Sequence, residues 1–412
     1  MEIRPIISAL MRSKVALILI GLQIALTLAI VCNALFIISQ RVEAMNRPSG
    51  VNEADTFKIG SLGFGTGFNT KNAISEDLAL IRSVPGIRDA TTINSLPMNN
   101  SGWSEAVNMA PGQKVPTTVT AIYFVDDHGI DAFGLKLVGG RNFKPEEIAY
   151  REPGSVGFPQ GVIITKALGE KLWPGEDPVG RQMYLSDGSQ PPQTVLGVIE
   201  RMIAPWPGNF SYNGDRGVVE YSVLVPQMGA YGSSTAYLVR AEPGRRDELM
   251  KTVEAKLAES NHSRIVKGLQ SVEAIRAECY SDDRAMMIIL ATVILCLLTI
   301  TALGIVGMAS FWVTQRTKQI GTRRALGATR TDILRYFLTE NFLITTGGLM
   351  LGALLSYAFS LWLMTHSQEA KLLPWHYLPA GFVCLWLLGQ IAVLGPATRA
   401  ARVPPAVATR SV

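Results

Sequence analysis

The chain has 412 residues, of which 48% are hydrophobic and 17% charged, and it carries a formal net charge of +5. A mean hydropathy of +0.22 favours an integral membrane protein over a soluble domain. The four histidines are scattered without metal-ligand spacing, and no set of nucleophile, base and orienting residue can be assembled. The sequence therefore argues against a metal site and against an enzyme.

Four uncharged runs, at residues 15–39, 285–313, 341–365 and 374–395, are predicted to be transmembrane helices. An apolar helix of about 20 residues is long enough to cross the hydrocarbon core of a bilayer. The first run exceeds the core of a usual signal peptide, and no small-residue cleavage site follows it, so we expect an uncleaved anchor. The predicted fold class is an integral membrane α-helical protein with four transmembrane helices.

Basic residues are concentrated in three short segments at residues 1–14, 315–335 and from 396 onward. Together these segments hold twelve Lys and Arg against two acidic residues. By the positive-inside rule all three face the cytoplasm. The basic excess is thus a topological signal, and nucleic acid is not an expected partner. We expect a cytoplasmic N-terminus (1–14), connector (314–340) and tail (396–412), and a periplasmic loop at 366–373.

Residues 40–284 are predicted to form a large α+β domain outside the cytoplasm, with two subdomains. Helical periodicity at 73–83 and 245–259, together with strands at 90–93 and 236–240, indicates an α+β part made of about 45–116 and 233–275. The middle, about 117–232, alternates strands with Gly- and Pro-rich turns and is predicted to be an inserted β-rich part. Cys279 is the one cysteine of this domain, which excludes an internal disulfide, and 271–284 is expected to be a stalk-like extension.

The connector at 314–340 contains the run GTRRALGATRTDILRYFLTEN, in which basic, apolar and helix-capping residues are combined. The pattern predicts a short basic helix that ends at Gly327, and a second helix that Thr329 caps and Asp332 stabilises at its N-terminal end. A basic loop that only sets topology and touches lipid headgroups is the alternative. The first helix includes Arg323, Ala325 and Leu326, and the apolar face of the second includes Ile333, Leu334 and Phe337.

Polar residues within the spans are expected to form hydrogen bonds between helices rather than a substrate path. Glu340 lies at the cytoplasmic boundary, where water or Arg335 can satisfy its carboxylate. Gly348 and Gly352 form a GxxxG patch that permits close helix approach. The other polar residues considered are Gln23, Asn33, Thr299 and Thr301.

Two groups of motifs resemble a known family. The runs LVGGRNFKPEE, GVIITKALGEKLWPGEDPVGRQMYL and TVLGVIE resemble the periplasmic core domain of MacB-type ABC transporter permeases. The connector and the terminal PATRAARVPPAVATR resemble the permease domain of the FtsX and MacB family. In that family the connector docks on an ATP-binding subunit. The resemblance implies coupling residues at Gly321, Arg323, Arg324, Ala325, Leu326, Gly327, Ala328, Thr329, Asp332, Ile333 and Leu334.

The dipeptide Gly-Lys of a P-loop occurs nowhere in the sequence. We therefore expect no cofactor on this chain, and ATP and Mg²⁺ on a separate ABC ATPase subunit. The expected function is that of a permease subunit that couples ATP hydrolysis to conformational work in the periplasm, in export of a peptide, antibiotic or similar substrate. Further expected partners are the lipid membrane, a second permease in a homodimer or heterodimer, and a periplasmic adaptor or outer-membrane channel.

Two alternatives share this plan. One is a lipoprotein-releasing permease of the LolC/LolE type, and the other is an FtsX-like regulator of a cell-wall hydrolase. The long external segment counts against the second, because external domains of the FtsX type are much smaller. The chain also departs from the family pattern at Gln315 and Gln319, where Glu is common, and at Thr409, where Leu is usual.

Overall fold

The structure is a computed structural model that describes residues 14–65, 67–152, 155, 157–186, 191–208, 210–229, 232–366 and 371–404. The predicted cytoplasmic residues before Lys14, half of the loop at 366–373 and the end of the tail from residue 405, with Thr409, lie outside these residues. The chain forms two compact units. One contains the residues up to Glu43 and from Asp283 onward, and the other is Ala44–Asp282.

The first unit contains four helices that are long and apolar enough to cross a membrane. They are α1 (Lys14–Met45), α7 (Ser281–Gln315), α9 (Arg330–His366) and α10 (Tyr377–Ala401). The predicted class of four transmembrane helices is therefore confirmed, although every helix is longer than its uncharged run. Charged residues extend the helices beyond the apolar runs because helix formation needs only backbone hydrogen bonding, whereas lipid burial needs apolar side chains.

Helix α1 lies at the centre of this bundle, where Ala25 and Leu28 are completely buried. The GxxxG patch of α9 packs against it. An ideal Cβ on Gly348 would lie 2.9 Å from the carbonyl oxygen of Gly21, and one on Gly352 would lie 2.9 Å from that of Ala25. Glycine is thus required at both positions for the two backbones to approach this closely.

Hydrogen bonds between helices complete the bundle core. Gln23 Nε2 donates to the carbonyl of Ile300 at 3.1 Å, and the hydroxyls of Thr27 and Thr301 lie 2.8 Å apart. Asn33 Nδ2 donates to the carbonyl of Ser356 at 3.2 Å. These contacts confirm the interpretation of the polar span residues as links between helices. The exception is Thr299, whose hydroxyl bonds the carbonyl of Leu295 in its own helix.

Gly347 and Gly348 are adjacent but face different surroundings, which allows a matched test of the packing. Gly348→Ala is expected to destabilise the protein by about 1–3 kcal/mol, because the added methyl overpacks the contact with α1. Gly347→Ala meets no atom within 4 Å and should be neutral or stabilising by up to about 1 kcal/mol through helix propensity. Thermal unfolding of the two purified variants in detergent measures the difference. Equal effects of the two substitutions would contradict the packing described for α9.

In the unit Ala44–Asp282, strands from the two ends of the segment form one antiparallel sheet, and helices cover it. The elements are β1 (Thr56–Gly63), α2 (Thr70–Arg82), β2 (Ile87–Ile93), β11 (Ser234–Ala241), α5 (Arg246–Ser260) and β12 (Arg264–Ser271). The four strands pair in the order β12–β1–β11–β2. Helices α2 and α5 pack on this sheet, with the predicted apolar faces of both helices buried. The large α+β class expected for this unit is therefore confirmed.

The intervening strands form a closed barrel. The elements are β3 (Trp103–Asn108), β4 (Thr118–Val125), α3 (Gly129–Phe133), β5 (Leu137–Gly140), β6 (Ala149–Arg151), β7 (Gly161–Thr165), α4 (Lys166–Leu172), β8 (Gln182–Leu185), β9 (Gln193–Ile199) and β10 (Ser222–Gly229). The strand order is β4–β3–β8–β9–β7–β10, and parallel pairing of β10 with β4 closes the ring. Short strands β5 and β6 pair with β9 and β10 respectively.

Two sequence-based boundaries in this unit are wrong. The β-rich part begins at β3 rather than at 117, because Trp103–Asn108 pairs with β4 in an antiparallel hairpin, with Trp103 opposite Ile122. Residues 271–284 are not a stalk-like extension either. Helix α6 (Val272–Cys279) buries Val272 and Ile275 in the domain core, so this helix belongs to the folded domain, and α7 begins at Ser281.

Helix α6 and the following Tyr280 bind the C-terminal end of α1 and the residues just after it. Arg276 donates to the carbonyls of Met45 and Arg47 at 2.8 and 2.5 Å, and the Tyr280 hydroxyl donates to the carbonyl of Ala44 at 3.2 Å. The place where the chain enters this unit is therefore bound to the place where it leaves.

Candidate coupling site

The connector between α7 and α9 contains one short helix, α8 (Thr317–Ala325). Leu326 follows it and is 84% exposed, which is unusual for a leucine and leaves an apolar tip at the end of the helix. Gly327 has φ of +100°, and no atom lies within 4 Å of an ideal Cβ. The requirement for glycine at this turn is therefore conformational rather than steric.

Thr329 and Asp332 cap the helix that follows. The Asp332 amide donates to Thr329 Oγ1 at 3.2 Å, while Asp332 Oδ2 accepts from the Thr329 amide at 3.0 Å and from its hydroxyl at 2.6 Å. This reciprocal cap satisfies backbone amides that the first helical turn leaves unpaired. The capped helix is α9 itself, which begins at Arg330, so the predicted second connector helix and the third span are one continuous helix rather than two segments divided at 341.

An ion pair joins the start of α8 to α9. Arg316 donates to both oxygens of Glu340 at 2.8 and 3.0 Å, and their side chains are 16% and 1% exposed. The Arg323 guanidinium lies 5.0 Å from the ring centre of Tyr336, above the same face of α9. Arg316, rather than the expected Arg335, is therefore the partner of Glu340, because Arg335 is on the exposed side of the helix.

A second arginine joins the end of α8 to α10. Arg324 donates to the carbonyl of Val403 at 2.6 Å and to that of Ala401 at 3.2 Å. Carbonyls at the C-terminal end of a helix lack intrahelical partners and attract cations. Between the two arginines, Ile320 packs with Ile333 and Phe337 in the core of the bundle. Helix α8 is consequently attached to two transmembrane helices by charge and by apolar contact.

The predicted coupling residues divide into two groups. Gly321 and Ile333 are buried, and Arg324, Ala328 and Leu334 are partly buried against the bundle, so these residues support the segment from inside. The rest form the coupling tip, the exposed surface around Leu326. Its members are Arg323, Ala325, Leu326, Gly327, Thr329 and Asp332.

The coupling tip combines an apolar centre with basic surroundings. Arg323 and the neighbouring Arg330 are exposed beside Leu326, whereas the carboxylate of Asp332 is engaged by Thr329. A complementary partner surface would have an apolar pocket with an acidic rim, since charge complementarity steers and orients association.

Sequence reasoning did not identify Arg316 and Tyr336 as parts of this site. The available signal was Glu340, because an acidic residue at the very start of an apolar span indicates a buried cationic partner. Which of the nearby arginines would supply that partner depends on how the connector folds back on α9, and the sequence does not specify this.

Comparison with known families agrees with this architecture. The profile of the family described as MacB-like periplasmic core domain matches residues 16–257. The profile described as FtsX-like permease C-terminal matches residues 291–405, which include the coupling site. The two matches together cover both compact units and confirm the resemblance inferred from the sequence motifs.

Individual relatives are distant. The macrolide export ATP-binding/permease protein MacB of Chromobacterium violaceum is 26% identical over 273 residues, covering 66% of this chain and 40% of that protein. MacB of Neisseria gonorrhoeae is 26% identical over 76% of this chain and 45% of that protein. The uncharacterized ABC transporter permease YknZ of Bacillus subtilis is 23% identical over 82% of this chain and 81% of that protein. The chain thus spans less than half the length of these MacB relatives and most of YknZ.

Two solved structures are similar to part of this chain. The extracellular domain of YknZ from Gram-positive bacteria is 14% identical with a TM-score of 0.30, and covers 51% of this chain and 100% of that domain. The periplasmic region of MacB from Actinobacillus actinomycetemcomitans is 15% identical with a TM-score of 0.33, and covers 57% of this chain and 97% of that region. Since the MacB-like profile alone matches more than half of the sequence and the FtsX-like profile matches the helices that carry the coupling site, this chain belongs to the MacB/FtsX family of ABC transporter permeases.

Proposed function

We propose that this chain is the non-catalytic transmembrane subunit of an ABC transporter whose ATPase is a separate polypeptide, and that it transmits ATP-driven movement to its periplasmic domain. The observation that carries the proposal is the exposed coupling tip on a helix that is fixed to α9 by Arg316 and to α10 by Arg324. The ATPase subunit would bind ATP and Mg²⁺. The coupling segment and both termini would lie in the cytoplasm, in agreement with their basic residues.

The attachment of α8 supports transmission of force rather than flexible tethering. A displacement of the coupling tip moves the guanidinium of Arg316, and with it the buried carboxylate of Glu340 on α9. The same displacement pulls on the C-terminal carbonyls of α10 through Arg324. Packed helices with bound ends move as bodies because close-packed interiors do not deform continuously.

Hydrogen bonds at the place where the chain enters and leaves the periplasmic domain also favour movement of this domain together with the helices. Arg276 and Tyr280, which lie just before the start of α7, bind the C-terminal end of α1. Any shift of α1 relative to α7 would therefore strain these hydrogen bonds or move the domain with them. We propose that the periplasmic domain does mechanical work on a substrate or partner outside the membrane, with no passage of substrate through the spans.

The substrate would be a peptide, an antibiotic or a similar molecule. The MacB relatives are named for macrolide export, which supports this class of substrate. We further propose that the chain pairs with a second permease, identical or related, and engages a periplasmic adaptor or outer-membrane channel.

Co-purification from native membranes followed by mass spectrometry tests the proposal. We expect an ABC ATPase subunit in about equimolar amount with the tagged full-length chain, and ATP hydrolysis by the isolated complex. In sealed vesicles without a periplasmic partner, the complex should not carry substrate across the bilayer. Recovery of the permease without any ATPase, or transport across such vesicles, would contradict the proposal. A lipoprotein or a cell-wall hydrolase as the main partner would replace it with the LolC/LolE-like or the FtsX-like alternative.

A further inference from the structure

Two neighbouring spaces lie beside the coupling site. The inner space has room for about one water molecule and is bordered by Trp312, Glu340 and Asn341 and by apolar side chains from all four transmembrane helices. The outer space is bordered by apolar side chains and by the polar residues Arg316, Gln319, Arg323 and Tyr336. Phe337 lines both spaces, so they share a wall.

The inner space contains hydrogen-bond donors that no protein atom satisfies. Among the described residues, Trp312 Nε1 and Asn341 Nδ2 are buried and lack a hydrogen-bond partner in the chain. Their residues are 5% and 7% exposed. Since a buried donor without a partner is costly, these groups indicate that an acceptor binds beside them.

The charges around the inner space decide which acceptor fits. An anion would meet the carboxylate of Glu340, whose charge is already balanced by Arg316. A cation would meet the N–H groups of Trp312 and Asn341, which cannot accept a hydrogen bond. Water can accept from these two N–H groups and donate to the free lone pairs of the Glu340 carboxylate. Neutral water is therefore the ligand that matches both kinds of group.

We propose that the inner space is a binding site for an ordered water molecule, which enters through the outer space and is enclosed by the Arg316–Glu340 pair. The pair lies where the spaces meet, since Arg316 borders the outer space and Glu340 the inner one. Helix α8 begins directly after Arg316. This step rests on the function proposed above, in which α8 moves. Such a movement would open or close this entrance and so change the hydration of the bundle.

Hydroxyl-radical footprinting with microsecond X-ray pulses tests the site directly, because radicals formed from bound water label the side chains that touch it. The full-length protein in lipid nanodiscs is used without any ATPase, so the result does not depend on the proposed function. Met308 and Trp312, which line the inner space, should be labelled at least about tenfold faster than Met183 in the barrel core, which is fully buried. Labelling of both residues at the rate of Met183 would overturn the proposal.

Two substitutions provide an independent readout. If water satisfies the donors, Trp312→Phe and Asn341→Leu should each lower the melting temperature by several degrees. The decrease in the double variant should be smaller than the sum of the two single decreases, because both substitutions disrupt the same hydrogen-bond network. If the donors are dry, both substitutions should raise the melting temperature, since they remove unsatisfied groups. Trp386→Phe is the matched control, as its N–H already bonds the hydroxyl of Thr346 at 3.2 Å. An increase in stability for both test variants would overturn the proposal.

Discussion

Leu326→Asp is expected to abolish association with the ATPase subunit while membrane insertion and folding of the permease stay intact. The side chain is 84% exposed at the end of α8, so the substitution removes no internal packing. A partner that buries this leucine in an apolar pocket would have to desolvate the new carboxylate, and the acidic rim that complements Arg323 and Arg330 would repel it. We expect at least a 100-fold loss of affinity, equivalent to about 2.7 kcal/mol, in a pull-down or by interferometry on purified subunits.

Leu326→Met is the matched control, because it keeps an apolar side chain of similar volume and should retain nearly all binding. Correct insertion of the Asp variant is checked by its expression level and its monodispersity in detergent. Normal ATPase association of well-folded Leu326→Asp protein would show that the coupling tip is not the docking surface.

Asp77→Asn is expected to cause the largest loss of stability in the periplasmic domain. Asp77 accepts hydrogen bonds from Arg264 through both oxygens and from the Tyr237 hydroxyl at 2.6 Å. The Asp77 and Arg264 side chains are only 3% and 1% exposed. Burial, with the Asp77 carboxylate beside it, raises the pKa of Tyr237, so its hydroxyl remains a donor. Removing the carboxylate leaves a buried guanidinium without its counter-charge, which costs about 3–5 kcal/mol.

Hydrogen exchange of the slowest amides in β1, β11 and β12 measures this loss in the full-length protein. A cost of that size corresponds to exchange that is about 10² to 10³ times faster or more. Lys136→Ala is the control, because it breaks the exposed pair between Lys136 and Glu200 and should cost at most about 1 kcal/mol. Protection that is unchanged in Asp77→Asn would mean that the buried pair does not hold this sheet together.

Local patterns in the sequence predicted the elements whose stability depends on near neighbours in the chain. The uncharged runs predicted four membrane helices because lipid burial excludes charge along a continuous segment. The 3.6-residue periodicity of α2 and α5 predicted their buried faces, which include Leu78 on the first helix and Val253 on the second. Thr329 and Asp332 predicted a helix start because a cap involves residues only three positions apart.

Features that depend on distant residues could not be predicted in the same way. Strand β3 was placed in the wrong part of the domain. Its residues WSEAVN do not specify their pairing partner, because the pairing of Trp103 with Ile122 is determined by tertiary contacts. The partner of Glu340 is 24 residues away at Arg316, and several nearby arginines have the same chemistry. The barrel closure between β4 and β10 joins residues about a hundred positions apart in the chain, so no local signal marks it.

The central claim is that ATP hydrolysis on a separate subunit moves the periplasmic domain. Its most direct measurement is the distance between spin labels at Lys256→Cys, one on each permease of a reconstituted complex, with Cys32, Cys279, Cys296 and Cys384 replaced by alanine. We predict a different distance distribution with ATP and vanadate than without nucleotide. No such change is expected when the permease carries Leu326→Asp and is mixed with the ATPase that it no longer binds. Identical distributions with and without nucleotide, in a complex that hydrolyses ATP, would contradict the account.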